Sequence, residues 1–144
     1  MSYSIDANIL LYASDAASPR HEMARAFLEE CARGPETLYL AWPTVLAYLR
    51  IATHSRVFSN PLSPRVAEQN IDALLALPHV RTIAEEEGFW AAYREVTAGK
   101  AVRGKLVPDA HLATLLREHG VKTLYTSDVD FRRFDFLDVK DPLR

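Results

Sequence analysis

Four aspartates stand at positions where a carboxylate could take part in chemistry. Asp6 ends the short apolar run Tyr3-Ser4-Ile5 and precedes "ANILLYA". Asp109 lies in "LVPDAHLATLL", in the first turn of a helical pattern. Asp128 closes "TLYTSD", and Asp130 follows it in "DVDF". In open α/β sheets the functional crevice lies beyond the carboxyl ends of the strands, so acids at strand ends can converge there. Convergence has an electrostatic cost. Two carboxylates about 5 Å apart repel by roughly 3 kcal/mol at an effective dielectric of about 20. Three mutual pairs approach ~10 kcal/mol, comparable to the whole stability of a domain. A helix N-terminus offsets only about 0.3–1 kcal/mol per acid. If Asp6, Asp109 and Asp128 meet, with Asp130 at the rim, they either share protons or hold a cation. All-oxygen ligation suits Mg²⁺ or Mn²⁺. Such a site binds phosphate and activates water for in-line displacement. Plainer roles remain open for each acid. Asp6 or Asn8 can cap the following helix, Asp109 can favour its helix N-terminus, and Asp128 and Asp130 can serve as turn residues.

The elements that would position these acids alternate between strand and helix. After Asp6 a helical turn or two runs from Asn8 to about Ser14. Ser18 can cap a second helix with Pro19 in its first turn, with Met23, Phe27, Leu28 and Cys31 on one face and Gly34 at its end. "TLYLAW" reads as a second strand. A helix from Pro43 carries Val45, Leu46, Leu49 and Ala52. "SRVFSNPLSP" is a loop, and Ser63-Pro64 opens a helix reaching about Leu77. "HVRTI" is a third strand. "EEEGFWAAYREV" starts with acids, which favour a helix N-terminus. A polar loop, Ala98 to Lys105, leads to a helix from about Pro108 to His119, stopped at Gly120. "KTLYTSD" is a fourth strand and "FLDVKD" a fifth. The pattern predicts an α/β fold, a short parallel sheet sandwiched between helices.

The 144 residues fit a single domain, 1–144, with 49% apolar and 25% charged residues. A net charge of −2 excludes a grossly basic nucleic-acid binder but not a local basic patch. The single Cys31 cannot form an internal disulfide, which fits a reducing cytoplasm. No apolar run approaches the roughly 20 residues of a membrane span, and no start resembles a signal peptide. Cys/His spacing for zinc, a P-loop and GxGxxG are all missing. His111, two residues from Asp109, would point away from it on a helix. Arg50 can act beside the acidic site or form a plain ion pair on its helix, while the loop cations Lys100, Arg103 and Lys105, and Arg132 and Arg133, can grip nucleic-acid phosphates or simply be solvated. An acid-cluster phosphatase would carry its DxD at the end of strand one, where this chain has "DAN".

"IDANILLYA", "GKLVPDAHLATLLREHG" and "TLYTSDVDFRRF", in that order, resemble the PIN-domain ribonucleases, and more narrowly the VapC toxins of bacterial VapBC toxin–antitoxin pairs. The resemblance extends through "YLRIATHSRVFSNPLSP". It implies a three-layer PIN fold and Mg²⁺- or Mn²⁺-dependent cleavage of RNA by metal-activated water. It also implies metal ligation by Asp6, Asp109 and Asp128, with Asp130 as an additional catalytic acid. Thr126 becomes a group orienting Asp128, and Asn8 a small polar residue that follows the first acid. A homodimer and a VapB-type antitoxin partner are implied as well. There is one departure. Many PIN domains read Glu-Phe-Leu-Arg where this chain reads Ala47-Tyr48-Leu49-Arg50. Ala47 cannot bind a metal, so the alternative is a weak or inactive module that binds RNA or antitoxin without cutting.

Overall fold

A computed structural model describes residues 1–144. In chain order the elements are β1 (Ser2–Ile5), α1 (Ala7–Ser14), α2 (His21–Ala32), β2 (Thr37–Ala41), α3 (Trp42–Ala52), α4 (Pro64–Leu75), β3 (Val80–Ile83), α5 (Phe89–Thr97), α6 (Leu106–Glu118), β4 (Thr123–Tyr125), a 3-10 helix (Val129–Arg133) and β5 (Asp138–Lys140). The five strands form one parallel sheet in the order β3-β2-β1-β4-β5.

Both faces of the sheet are covered, as an all-parallel sheet requires. One core joins Tyr3, Ile5, Leu38 and Leu40 to Leu10, Val45, Tyr48 and Ile71 from α1, α3 and α4. The other joins Leu124 and Ile83 to Val96 of α5 and to Leu112, Leu115 and Leu116 of α6. Ser4 is fully buried between the apolar residues of β1, and its hydroxyl donates to the Tyr39 carbonyl at 2.5 Å. That bond removes the cost of an unpaired buried hydroxyl.

The order of the strands positions the site. The chain builds outward from β1 to β2 and β3, then returns to the other side of β1 with β4 and β5. β1 and β4 therefore flank a topological switch point, where crevices form in such sheets. The ladder runs one step past each strand: Asp6 N–H donates to the Tyr125 carbonyl at 3.0 Å, and Thr126 N–H to the Lys140 carbonyl at 2.9 Å.

Several boundaries differ from the sequence expectation. α2 begins at His21, after Ser18 and Pro19, and the Ser18 hydroxyl instead accepts from Arg20 N–H in the preceding turn. Met23 is exposed, and Ala24 takes the buried position on that helix. Leu46 is also exposed. α5 begins at Phe89 rather than in the acidic run. Glu85 and Glu86 reach across to His111 of α6 and to His119 at its C-cap instead, so cross-element pairing overrides their preference for a helix start. α6 starts at Leu106, before Pro108. β4 ends at Tyr125, leaving Asp128 in the following turn.

Candidate metal centre at the switch point

Asp6 is the N-cap of α1, with extended backbone, and its Oδ1 accepts from Ala7 N–H at 2.8 Å. Its other oxygen, Oδ2, accepts from the Thr126 hydroxyl at 2.9 Å. Thr126, 1% exposed, is the hub of this end of the sheet. Its Oγ1 also accepts from Asn8 Nδ2 at 3.1 Å and from Asp128 N–H at 3.0 Å. One buried hydroxyl thus ties the end of β1, the first turn of α1 and the turn after β4 into one unit. The sequence expectation made Thr126 an orienting group for Asp128. It does fix the Asp128 backbone, but the carboxylate it holds is that of Asp6.

Asp128 caps the 3-10 helix: its Oδ1 accepts from Asp130 N–H at 2.9 Å. Asp109 comes from the first turn of α6. Carboxylate oxygens of Asp109, Asp128 and Asp130 all lie within 4.8 Å of one another. Asp130, placed at the rim by the sequence, is therefore part of the tightest group, while Asp6 stands beside that group, anchored by its own bonds. Capping and convergence turn out to coexist: Asp6 and Asp128 each use one oxygen on a backbone N–H and retain lone pairs for another partner.

The charges of these acids act on one another. Burial is the largest influence on Asp109, followed by the charges of Asp128, Asp6 and Asp130. Together they push its carboxyl from 3.8 up to about 7, against the opposing pull of Lys105. Burial also raises Asp6, with a smaller push from Asp128, while its bonds from Thr126 and Ala7 lower it. Lys105 is the nearest countercharge, its Nζ 3.8 Å from Asp130 Oδ2. At 4.8 Å or less, each pair in the trio repels by about 3 kcal/mol or more at an effective dielectric of about 20. One exposed lysine does not offset that.

The donor set fits a hard divalent cation. It is all oxygen, with no sulfur or imidazole among the clustered ligands. A bound cation would draw the three carboxylates closer together than they stand without it. Asn8 Oδ1, buried beside Thr126, has no hydrogen-bond partner. Buried oxygens without donors are costly, and a hydrated cation supplies donors.

Other candidates fall away from the cluster. Arg50 is exposed in the last turn of α3 and pairs with none of the four acids. His111 pairs with Glu85. Ala47 is half-buried on α3 and offers no ligand.

The PIN domain family matches residues 3–137. Ribonuclease VapC48 of Mycobacterium tuberculosis is 44% identical over 142 residues, covering 99% of this chain and 98% of its own. VapC20 of M. tuberculosis, described as a sarcin-ricin loop cleaving toxin, superposes with a TM-score of 0.69 at 17% identity, covering 96% of this chain and 98% of its own. A chain of VapBC2 from Rickettsia felis, bound to a DNA fragment from their promoter, superposes with a TM-score of 0.67 at 20% identity, covering 98% of each. Those two structures share the fold. The family match and the identity to a ribonuclease along nearly its whole length settle the kinship: the chain belongs to the PIN domain family, among the VapC ribonucleases.

Proposed function

We propose that this chain is the ribonuclease toxin of a VapBC-type pair, and that it hydrolyses an RNA phosphodiester with Mg²⁺ or Mn²⁺ held at the β1/β4 crevice. The observation that carries this is the trio of carboxylates within 4.8 Å at the switch point of a VapC-like chain. Asp109, Asp128 and Asp130 face one another and would hold the ion, with Asp6 completing the wall. When bound, the ion supplies a water of lowered pKa and neutralises charge building on the scissile phosphate. Thr126 keeps Asp6 and the Asp128 backbone in fixed relation, so little reorganisation is left for the reaction. Lys105, beside Asp130, is placed to meet incoming phosphate. The test is RNA cleavage by the purified chain with Mn²⁺ and with EDTA. Asp6→Asn, which keeps an N-cap, should abolish cleavage while the fold survives. Retained cleavage by that variant, free of contaminating nuclease, would sink the mechanism.

The partner surface is a cavity of about 480 Å³ between α1, α2, α3 and α4, lined by Leu10, Ala13, Leu28, Ile71, Leu74 and Leu77. Its apolar wall suits a VapB-type segment laying a helix into it. The homodimer reading is supported by Trp42 and Leu46, exposed one turn apart on α3. Ala47 favours a second reading, a module that binds RNA without cutting. Mn²⁺ titration with RNA present separates the two, because binding with no metal-dependent product supports the module.

A further inference from the structure

Beside the acids lies a second cavity, of about 380 Å³, lined by Gly99, Lys100, Ala101, Val102, Leu106, Arg133 and Phe134. Its size falls within the range of small-ligand sites. Half-buried Val102 and Leu106 give it an apolar floor, backed by the buried Phe134. Lys100 and Arg133 stand exposed at its wall, and neither pairs with a carboxylate. The loop that forms its rim is shaped by Gly99 and Gly104, at φ 74° and 59°, a left-handed conformation that other residues adopt at a cost.

The cavity and the acid cluster share their supports. Leu106 and Asp109 are three residues apart in the first turn of α6, about 4.5 Å along the helix axis and on neighbouring faces. Phe134 caps the 3-10 helix that carries Asp130. Lys105 ties the end of the loop to Asp130. The cavity is therefore built on the same loop, helix and 3-10 turn that carry the acids.

Resting on the ribonuclease reading above, we infer that this cavity is a nucleotide subsite: it takes the base adjoining the scissile phosphate of single-stranded RNA against Val102 and Leu106, with Lys100 and Arg133 on the flanking phosphates. An apolar floor with two unpaired cations matches a flat base attached to an anionic backbone. A strongly acidic neighbouring site explains why countercharge is needed here to hold RNA at all.

The test measures binding of a labelled, mixed-sequence single-stranded RNA in an Asp109→Asn background with Mn²⁺, so that cleavage does not intrude. Two changes are made at exposed wall positions. Lys100→Ala with Arg133→Ala removes the cations. Ala101→Trp fills the cavity and leaves the charge unchanged. The double substitution should weaken binding about tenfold and reduce the slope of log affinity against log salt by about 1.4, two contacts at about 0.7 each. Ala101→Trp should weaken binding with the slope unchanged. The subsite is overturned if either variant binds RNA as the Asp109→Asn protein does. Metal-dependent cleavage by the wild-type chain, assayed separately, decides the ribonuclease reading, so the two failures are distinguishable.

Discussion

The strongest consequence of the acid cluster is a stability penalty in the metal-free protein, and Asp109 is the place to measure it. Its carboxyl is pushed up to about 7 in the fold from an ordinary 3.8. Between about pH 4 and 7 the folded chain keeps a proton on Asp109 that the unfolded chain has released. Folded protein therefore binds more protons than unfolded, and stability falls as pH rises through that window. The contribution is complete below about pH 4 and gone above about pH 7. Roughly three units at about 1.4 kcal/mol each set a ceiling of about 4 kcal/mol. Asp109 is only half-buried, and solvent screening cuts that to about 2 kcal/mol. For a chain of this size, about 2–4 °C of Tm accompanies each kcal/mol. Asp109→Asn removes the charge and should remove the penalty. In EDTA, the variant should match the wild-type Tm near pH 4 and exceed it by about 4–8 °C near pH 8. Thermal unfolding followed by circular dichroism across that range is the assay. Saturating Mn²⁺ should raise wild-type Tm at pH 8 and close the gap, since a ligand at 100 times its Kd contributes about 2.7 kcal/mol. Equal pH profiles for the two metal-free proteins would refute the reasoning, because no repulsion would then be stored at Asp109.

Other perturbations address the supports of the site. Thr126→Val leaves Asp128 N–H, Asn8 Nδ2 and Asp6 Oδ2 without their shared partner. It should cost about 1–3 kcal/mol in chemical denaturation and lower kcat, whereas Thr126→Ser should restore both. Leu46→Glu places a charge on the exposed stripe of α3. It should convert a dimer to monomers in light scattering with the unfolding transition intact, and an unchanged mass would remove α3 from the interface. Leu124→Ala, at 0% exposure in β4, should destabilise by about 2–5 kcal/mol. A loss under 1 kcal/mol would mean that the core between β4 and α6 collapses to fill the space.

Much of this architecture is legible in the sequence because it rests on local signals. Alternating strand and helix patterns lead to a parallel sheet, and Ser63-Pro64 marks the start of α4, where the Ser63 hydroxyl accepts from Val66 N–H at 3.2 Å. Non-local pairing is what the pattern hides. Glu85 and Glu86 look like helix-starting acids until His111 and His119 are known to lie opposite. Met23 fits a helical period, yet the packing of α2 against α1 is decided by small Ala24, at 0% exposure beside Ile9. At the site, the residue types and the end of the sheet can be read, but the inner grouping cannot. Asp130 enters the trio because the chain after β4 tightens into a 3-10 turn, and a periodicity argument does not distinguish that turn from a loop.

The acids are held in two different ways, and the difference prepares the site for a cation. Asp6 is tethered at both oxygens, to a helix N-terminus and to a buried hydroxyl, so its position is set by the fold whether or not a cation is present. Asp109 has no hydrogen bond of its own and takes up the repulsion as a raised pKa. Asp130 leans on Lys105, an exposed side chain that water and salt compete for. The cluster thus combines one fixed wall with two carboxylates free to move inward toward a small cation. A rigid set of four would have to store the whole repulsion as strain. A fully mobile set would lose side-chain entropy on every binding event. Fixing Asp6 through Thr126 and leaving Asp109 and Asp130 adjustable avoids both costs, and it makes Thr126, which is itself no ligand, the residue on which the geometry of the site turns.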